Sequence, residues 1–251
     1  RRLMRILLLN PNTTVAVTEL LFNAGNQVVA SGTTLVPMTA PRGVPYIATR
    51  AEAQIGGAIA LEVLAEQHRD FDAAIIAAFG DPGLMGAREL FDIPVVGMAE
   101  AAMLSACMLG RKFAIVTFAS ALVPWFQECV ELHGLTGRCA GIRMLNGAVR
   151  SISEVQQDKE DLLVDLTLKT IADTDAEVIV FGGAPLAGLA ERVKHRIPVP
   201  VVDQVQAAVK QAEALVALKV RKATTGSFKR PDAKATIGLA TSLANRIGHN
   251  D

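Results

Sequence analysis

Aromatic residues are scarce in this chain, with one Trp, one Tyr and nine Phe in 251 residues. Hydrophobic content is nevertheless 51%. The apolar share therefore falls on Ala, Val, Leu and Ile, the residues of buried parallel strands and the helices that cover them. Net charge is missing as well. Lys and Arg total 25 against 25 Asp and Glu, so no electrostatic field draws the chain to nucleic acid or to an anionic membrane. No apolar run approaches the roughly 20 residues of a membrane span. Arg1-Arg2-Leu3 carries no apolar signal-peptide region, and the natural start is expected at Met4. Cys107, Cys129 and Cys139 are odd in number and follow no metal spacing. They predict reduced thiols in a cytoplasmic protein. His68, His133, His195 and His249 fall near expected helix ends or in the tail. None forms a metal pair, and surface positions are expected. Neither G-x-G-x-x-G after a strand nor G-x-x-x-x-G-K-[ST] occurs, which removes support for dinucleotide or triphosphate binding. No metal or cofactor is expected.

What the chain does contain is a repeat. Ile-Pro-Val-Val-Gly-Met-Ala-Glu-Ala-Ala at 93–102 returns as Val-Pro-Val-Val-Asp-Gln-Val-Gln-Ala-Ala at 199–208, a shift of 106. The strand-like Arg5-Ile6-Leu7-Leu8-Leu9-Asn10 is echoed by Phe113-Ala114-Ile115-Val116-Thr117. Asp72-Ala73-Ala74-Ile75-Ile76 with Gly80-Asp81-Pro82 is echoed by Ala176-Glu177-Val178-Ile179-Val180 with Gly182-Gly183-Ala184-Pro185. Echoes in one order predict two similar lobes with a ligand cleft between them.

Strands are expected at 5–9, 33–38, 73–78, 94–97, 113–117, 140–144, 177–181 and 200–202. Helical periodicity runs through 14–30, 51–68, 84–91, 98–109, 121–133, 153–172, 186–195 and 204–219. This alternation predicts an α/β fold of two Rossmann-like lobes with mostly parallel sheets and right-handed crossovers. Lobe one is read as 4–97 plus 204–220, lobe two as 98–203, and 221–251 as a basic tail draped over the protein or a partner subunit.

Ligands in such folds sit beyond the carboxyl ends of strands. That rule selects Asn10, Ala78, Phe79, Gly80, Thr117, Phe118, Gly182, Gly183, Ala184 and Pro185 as binding candidates, with Tyr46 from the loop at 41–46. Helix N-termini opening from these loops would attract a carboxylate or similar group. Asp81, Glu100 and Tyr46 are the candidate catalytic side chains. Glu100 and Asp203, which follow the repeated Pro-Val-Val strands, could equally cap helices.

Asn10-Pro11-Asn12-Thr13, Phe79-Gly80-Asp81-Pro82-Gly83-Leu84 and Pro94-Val95-Val96-Gly97-Met98-Ala99-Glu100-Ala101-Ala102 closely resemble the hydantoin and allantoin racemases of the aspartate/glutamate racemase superfamily. Gly182-Gly183-Ala184 and Pro200-Val201-Val202-Asp203 extend the likeness, which runs from residue 4 to about 220. The resemblance implies two Rossmann-like lobes related by a pseudo-twofold and a homo-oligomer. It also implies proton transfer between two cysteines on opposite faces of an acidic carbon, without metal or pyridoxal. On that likeness the cysteine positions are 78 and 183, and here they hold Ala78 and Gly183.

Three readings follow. The first is a cofactor-independent isomerase acting beside a carbonyl in a small cyclic ureide or amino-acid derivative, by a mechanism other than the two-thiol one. In it Asn10, Thr117 and the N–H groups of Gly80 and Gly183 would hold oxygen atoms of the substrate. The second is a lyase, decarboxylase or hydrolase on the same fold. The third is a non-catalytic small-ligand binding protein.

Overall fold

The computed structural model describes residues 3–251. Its elements are β1 (Met4–Asn10), α1 (Val15–Asn26), β2 (Thr33–Thr39), α2 (Arg50–Gln67), β3 (Ala73–Ile76), α3 (Leu84–Leu90), β4 (Val95–Gly97) and α4 (Met98–Cys107). The second half supplies β5 (Phe113–Thr117), α5 (Val123–Leu132), β6 (Cys139–Met144), α6 (Val155–Asp173), β7 (Val178–Phe181), α7 (Leu189–Val193), β8 (Val201–Val202) and α8 (Gln204–Ala217). A last helix, α9 (Thr241–Gly248), lies in the segment read as a tail.

The strands form two parallel four-stranded sheets, ordered β2-β1-β3-β4 and β6-β5-β7-β8. Each order is the other with every strand number raised by four, so the sequence echo is an echo of topology. The central strands β3, β5 and β7 are buried throughout, as expected where helices cover both faces. Strand β2 is only partly buried and contains Pro37. A residue with no N–H is tolerated there because β2 is an edge strand.

One apolar core runs through both halves, joining Leu8, Ile75 and Phe79 to Ile115, Val180 and Val205. A smaller core lies on the other face of the first sheet, under α2 and α3, and takes Leu243 from α9. Helix α8 packs against α4, α1 and β3.

The Pro-Val-Val echo ends in two different helix caps. In the second half Asp203 caps its own helix, accepting from Val205 and Gln206 N–H at 3.0 Å each. Its other oxygen accepts from Gly188 N–H at 2.7 Å. In the first half the equivalent residue is Gly97, and Asp81 reaches in from the β3–α3 loop. Its carboxylate accepts from Ala99 N–H at 2.8 Å and Glu100 N–H at 2.9 Å. A Cβ at Gly97 would stand 2.5 Å from the Asp81 Cγ, so the glycine makes room for the borrowed cap.

Two expectations change. The helix expected over 186–195 is broken by left-handed Gly188 (φ 86°) into a tight turn and the short α7. The tail carries a helix that composition does not announce. Eight residues are too few to be stable alone, and α9 persists because it packs on α2. Arg246, 4% exposed, donates to the Leu90 carbonyl and pairs with Asp92 and Asp251. Burial alone would raise the Asp251 carboxyl, but Arg230 and Arg246 outweigh it and hold it well below its usual range.

Candidate active site

Three of the strand-end loops meet at a narrow, partly open chamber of about 10 Å³, roughly the space of one water molecule, lined by Asn12, Tyr46, Ile47, Ala78, Phe79, Trp125, Gly183 and Ala184. Asn12 follows β1, Ala78 and Phe79 follow β3, and Gly183 and Ala184 follow β7. A larger groove, about 310 Å³, is open and lies where residues 220–228 cross the segment 91–95, away from these strand ends. The chamber is far below the roughly 300–1,000 Å³ of drug-sized sites, so a ring-sized ligand fits only once its lining side chains move apart.

The loop after β1 is ordered by its own amides. Asn10 is fully buried. Its Nδ2 donates to Asn12 Oδ1 at 2.9 Å and Thr18 Oγ1 at 3.0 Å, while its Oδ1 accepts from Asn12 N–H. Asn10 therefore holds Asn12 in place and does not reach the chamber. Asn12 Oδ1 also accepts from Thr14 N–H, which leaves Nδ2 as its donating end.

Tyr46 is fixed from both sides. Thr13 N–H donates to the Val44 carbonyl at 3.0 Å, and the Thr14 hydroxyl to the Pro45 carbonyl at 2.6 Å. Downstream, Thr49 and Glu52 form a capping box on α2, and Glu52 also accepts from Ala48 N–H. The Tyr46 ring leans on Phe118 with centroids 6.0 Å apart. Burial, followed by the Glu52 charge, pushes its phenol far above the ordinary range, so the group stays protonated at neutral pH and can donate a hydrogen bond.

Both positions where the resemblance implies cysteine face this chamber. Ala78 is open to it. Gly183 has φ 111°, and a Cβ there would lie 3.0 Å from Phe118 Cε1 and 3.7 Å from Tyr46 Oη. Gln204 clamps this glycine, accepting from its N–H at 3.0 Å and donating to its carbonyl. Trp125 closes the wall against Gly80 so tightly that a Cβ there would be 2.3 Å from the indole.

The remaining candidates lie outside. Gly182 is packed under Ile115, Phe126 and Phe79. Phe118 backs Tyr46 without lining the chamber. Pro185 is buried and its carbonyl accepts from Gln156. The Thr117 hydroxyl is buried with no hydrogen-bond partner among the described residues. Expectations for the backbone donors fail, because Gly183 N–H is used by Gln204 and Gly80 N–H faces the Cys129 sulfur. Asp81 is spent on the α4 cap, and Glu100 pairs with Arg88 at 2.5 Å. Of the three catalytic candidates, only Tyr46 reaches the chamber.

His133 corrects the surface expectation most sharply. Its side chain is 2% exposed, with Nε2 2.9 Å from Asp81 Oδ2 and Nδ1 3.6 Å from Glu100 Oε1. His68 is buried as well. Cys129 joins the Asp81–His133 cluster, its sulfur 3.9 Å from the same oxygen. Burial first, then Asp81 and Glu100, push this thiol well up. The chain carries two hints of this grouping: Cys129 and His133 are four residues apart on one helical face, and Asp81 is the lone acid of its glycine loop. Asn12, Ile47 and Trp125 were missed because no local pattern aims them at a cleft.

The site sits among relatives. Residues 6–212 match the model of the Asp/Glu/Hydantoin racemase family. A hydantoin racemase of Paenarthrobacter aurescens is 35% identical over 233 residues, covering 92% of this chain and 99% of that one. The allantoin racemase from Klebsiella pneumoniae superposes with TM-score 0.90 at 33% identity, over 96% of this chain and 98% of the other. That from Pseudomonas fluorescens gives 0.86 at 34%, over 94% and 100%. With the duplicated sheets, the strand-end chamber and this match over most of its length, the chain belongs to the Asp/Glu/Hydantoin racemase family.

Proposed function

We propose that the chain is a cofactor-independent isomerase that inverts an acidic carbon beside a carbonyl in a small cyclic ureide of the hydantoin or allantoin kind. The observation that carries this reading is that strand-end loops of both sheets converge on one spot, with Tyr46 as its one ionisable lining residue. The relatives named hydantoin and allantoin racemase support the substrate class.

With Ala78 and Gly183 in place of proton carriers, the chemistry rests on stabilising the enolate. The Tyr46 phenol donates to the carbonyl oxygen as the neighbouring C–H bond breaks, and Asn12 Nδ2 donates to a ureide oxygen. Water takes the carbon-bound proton and returns one to either face, leaving the substrate's composition unchanged. A preorganised oxyanion donor is worth about 10²–10³ in rate, whereas a positioned acid or base adds about 10²–10⁴. Turnover should therefore be slower than in relatives that keep both cysteines. The working unit is taken as a homo-oligomer, which light scattering tests directly.

The test is incubation of optically pure 5-substituted hydantoins and allantoin in D₂O. Loss of rotation with one deuterium taken up at the inverted carbon is expected. No exchange across the panel at high enzyme concentration sinks the proposal. A product of changed mass would favour a lyase or hydrolase, and thermal stabilisation without turnover would favour a binding protein.

A further inference from the structure

We infer that Asp81, Cys129 and His133 form a binding site for a single thiophilic divalent cation, of which zinc and cadmium are the type. Their ligand atoms, one oxygen, one sulfur and one nitrogen, all lie within 4.8 Å of one another. All three side chains are buried. A mixed set of carboxylate, thiolate and imidazole is the donor chemistry of zinc and its softer relatives, and not of magnesium or calcium.

The separations come close to what a cation would need. Nε2 of His133 is 2.9 Å and Sγ of Cys129 is 3.9 Å from Asp81 Oδ2. Tetrahedral bonds of about 2.0–2.3 Å put neighbouring donors roughly 3.3–3.5 Å apart. The two separations from Asp81 need shifts of only a few tenths of an ångström, and Cys129 and His133 start within 4.8 Å of each other; the backbone bonds from Ala99 and Glu100 to Asp81 can persist because a carboxylate has about four acceptor positions. Loading replaces the Asp81–His133 hydrogen bond and releases the Cys129 thiol proton to solvent.

Two further features fit a built site. The second nitrogen of His133 faces Glu100 at 3.6 Å, and Glu100 is held by Arg88 at 2.5 Å. A carboxylate behind the imidazole is how metal-bound histidines are oriented. The site also has a way in, since Cys129 lines a cleft with Gly80, Trp125 and Glu128 that opens to solvent. The cation would stand behind the Gly80–Trp125 wall, outside the chamber, where it stiffens that wall without touching substrate.

The test uses the full chain, stripped with chelator under reducing conditions and titrated with zinc or cadmium chloride. Bound metal is counted after desalting, and the ultraviolet thiolate-to-cadmium band is followed. One ion per chain and a band equivalent to one thiolate are expected. The double variant Cys107→Ser, Cys139→Ser keeps Cys129 as its one thiol and should retain both. Cys129→Ser should abolish the band, and Glu100→Gln should weaken affinity about tenfold, with folding checked by circular dichroism. Failure of the unaltered chain to take up one ion, or loss of the band in the Cys107/Cys139 variant, overturns the assignment.

Discussion

Replacing Asp81 tests whether one lobe borrows the helix cap that the other makes for itself. Asp81→Ala strips the acceptor from the N–H groups of Ala99 and Glu100, at about 0.5–2 kcal/mol for a lost cap. It also leaves buried His133 without its 2.9 Å partner, a further cost of about 1–3 kcal/mol. The expected loss is roughly 1.5–5 kcal/mol, read from urea denaturation by linear extrapolation. Gly97→Asp alone should also destabilise, because its Cβ would press on the Asp81 carboxylate at 2.5 Å and two buried like charges would meet. Together the changes should compensate. With Asp81 gone the obstruction is gone, and Gly97 already has φ −84° and ψ 133°, close to the φ −80° and ψ 126° of Asp203. An aspartate at position 97 can then cap α4 as Asp203 caps α8. The double variant should recover about 1–2 kcal/mol relative to Asp81→Ala. Independent sites add within about 0.3–0.5 kcal/mol, so additive losses in this cycle would refute the shared cap.

Tyr46→Phe should lower kcat about 100-fold, on the scale of one oxyanion donor, with KM little changed; equal activity would remove Tyr46 from the chemistry. Trp125 is the one tryptophan of the chain and walls the chamber, so a hydantoin that binds there should alter intrinsic fluorescence saturably. A silent titration, with binding shown by calorimetry, would put the ligand elsewhere. Cysteine at position 78 should be tolerated, whereas Gly183→Cys, at φ 111° and 3.0 Å from Phe118, should cost about 1–3 kcal/mol. If the pair Ala78→Cys, Gly183→Cys folds yet gains no racemisation on any family substrate, the chamber is not an inherited two-thiol site. Burial holds the His68 imidazole below its ordinary 6.5, against the opposing Leu64 carbonyl bond. Below that pH the unfolded chain binds the extra proton first, so stability should fall as pH drops from 6.5 toward the folded pKa. His68→Gln should flatten that part of the curve; an unchanged slope would show that other groups set it.

All eight strands were readable from period and composition, because buried parallel strands are short, near-continuous apolar runs. Their ends agree with the structure to within one or two residues. Helix α9 was not readable, since its order comes from docking on α2 and from the buried Arg246 rather than from its own propensity. The site divides the same way. The loops carrying Ala78, Phe79, Gly183 and Ala184 were found from the rule about strand ends. Which member of each loop points inward was not, and Asn12, not Asn10, lines the chamber.

By itself the sequence determined the duplicated α/β architecture and carried the family resemblance, which in turn implies that Ala78 and Gly183 stand at the cysteine positions. The architecture rests on local periodicity and on a repeat, and the resemblance on short motifs, all of which are written along the chain. Only the tertiary structure decided that Asp81 and Glu100 are turned to capping and ion pairing, that Tyr46 alone of the acid/base candidates reaches the chamber, and that Cys129 and His133 meet Asp81. The physical reason is that a side chain's role depends on which hydrogen-bond partners and how much water its neighbours leave it. Those neighbours come from segments far apart in the chain, as His133 does at 52 residues from Asp81.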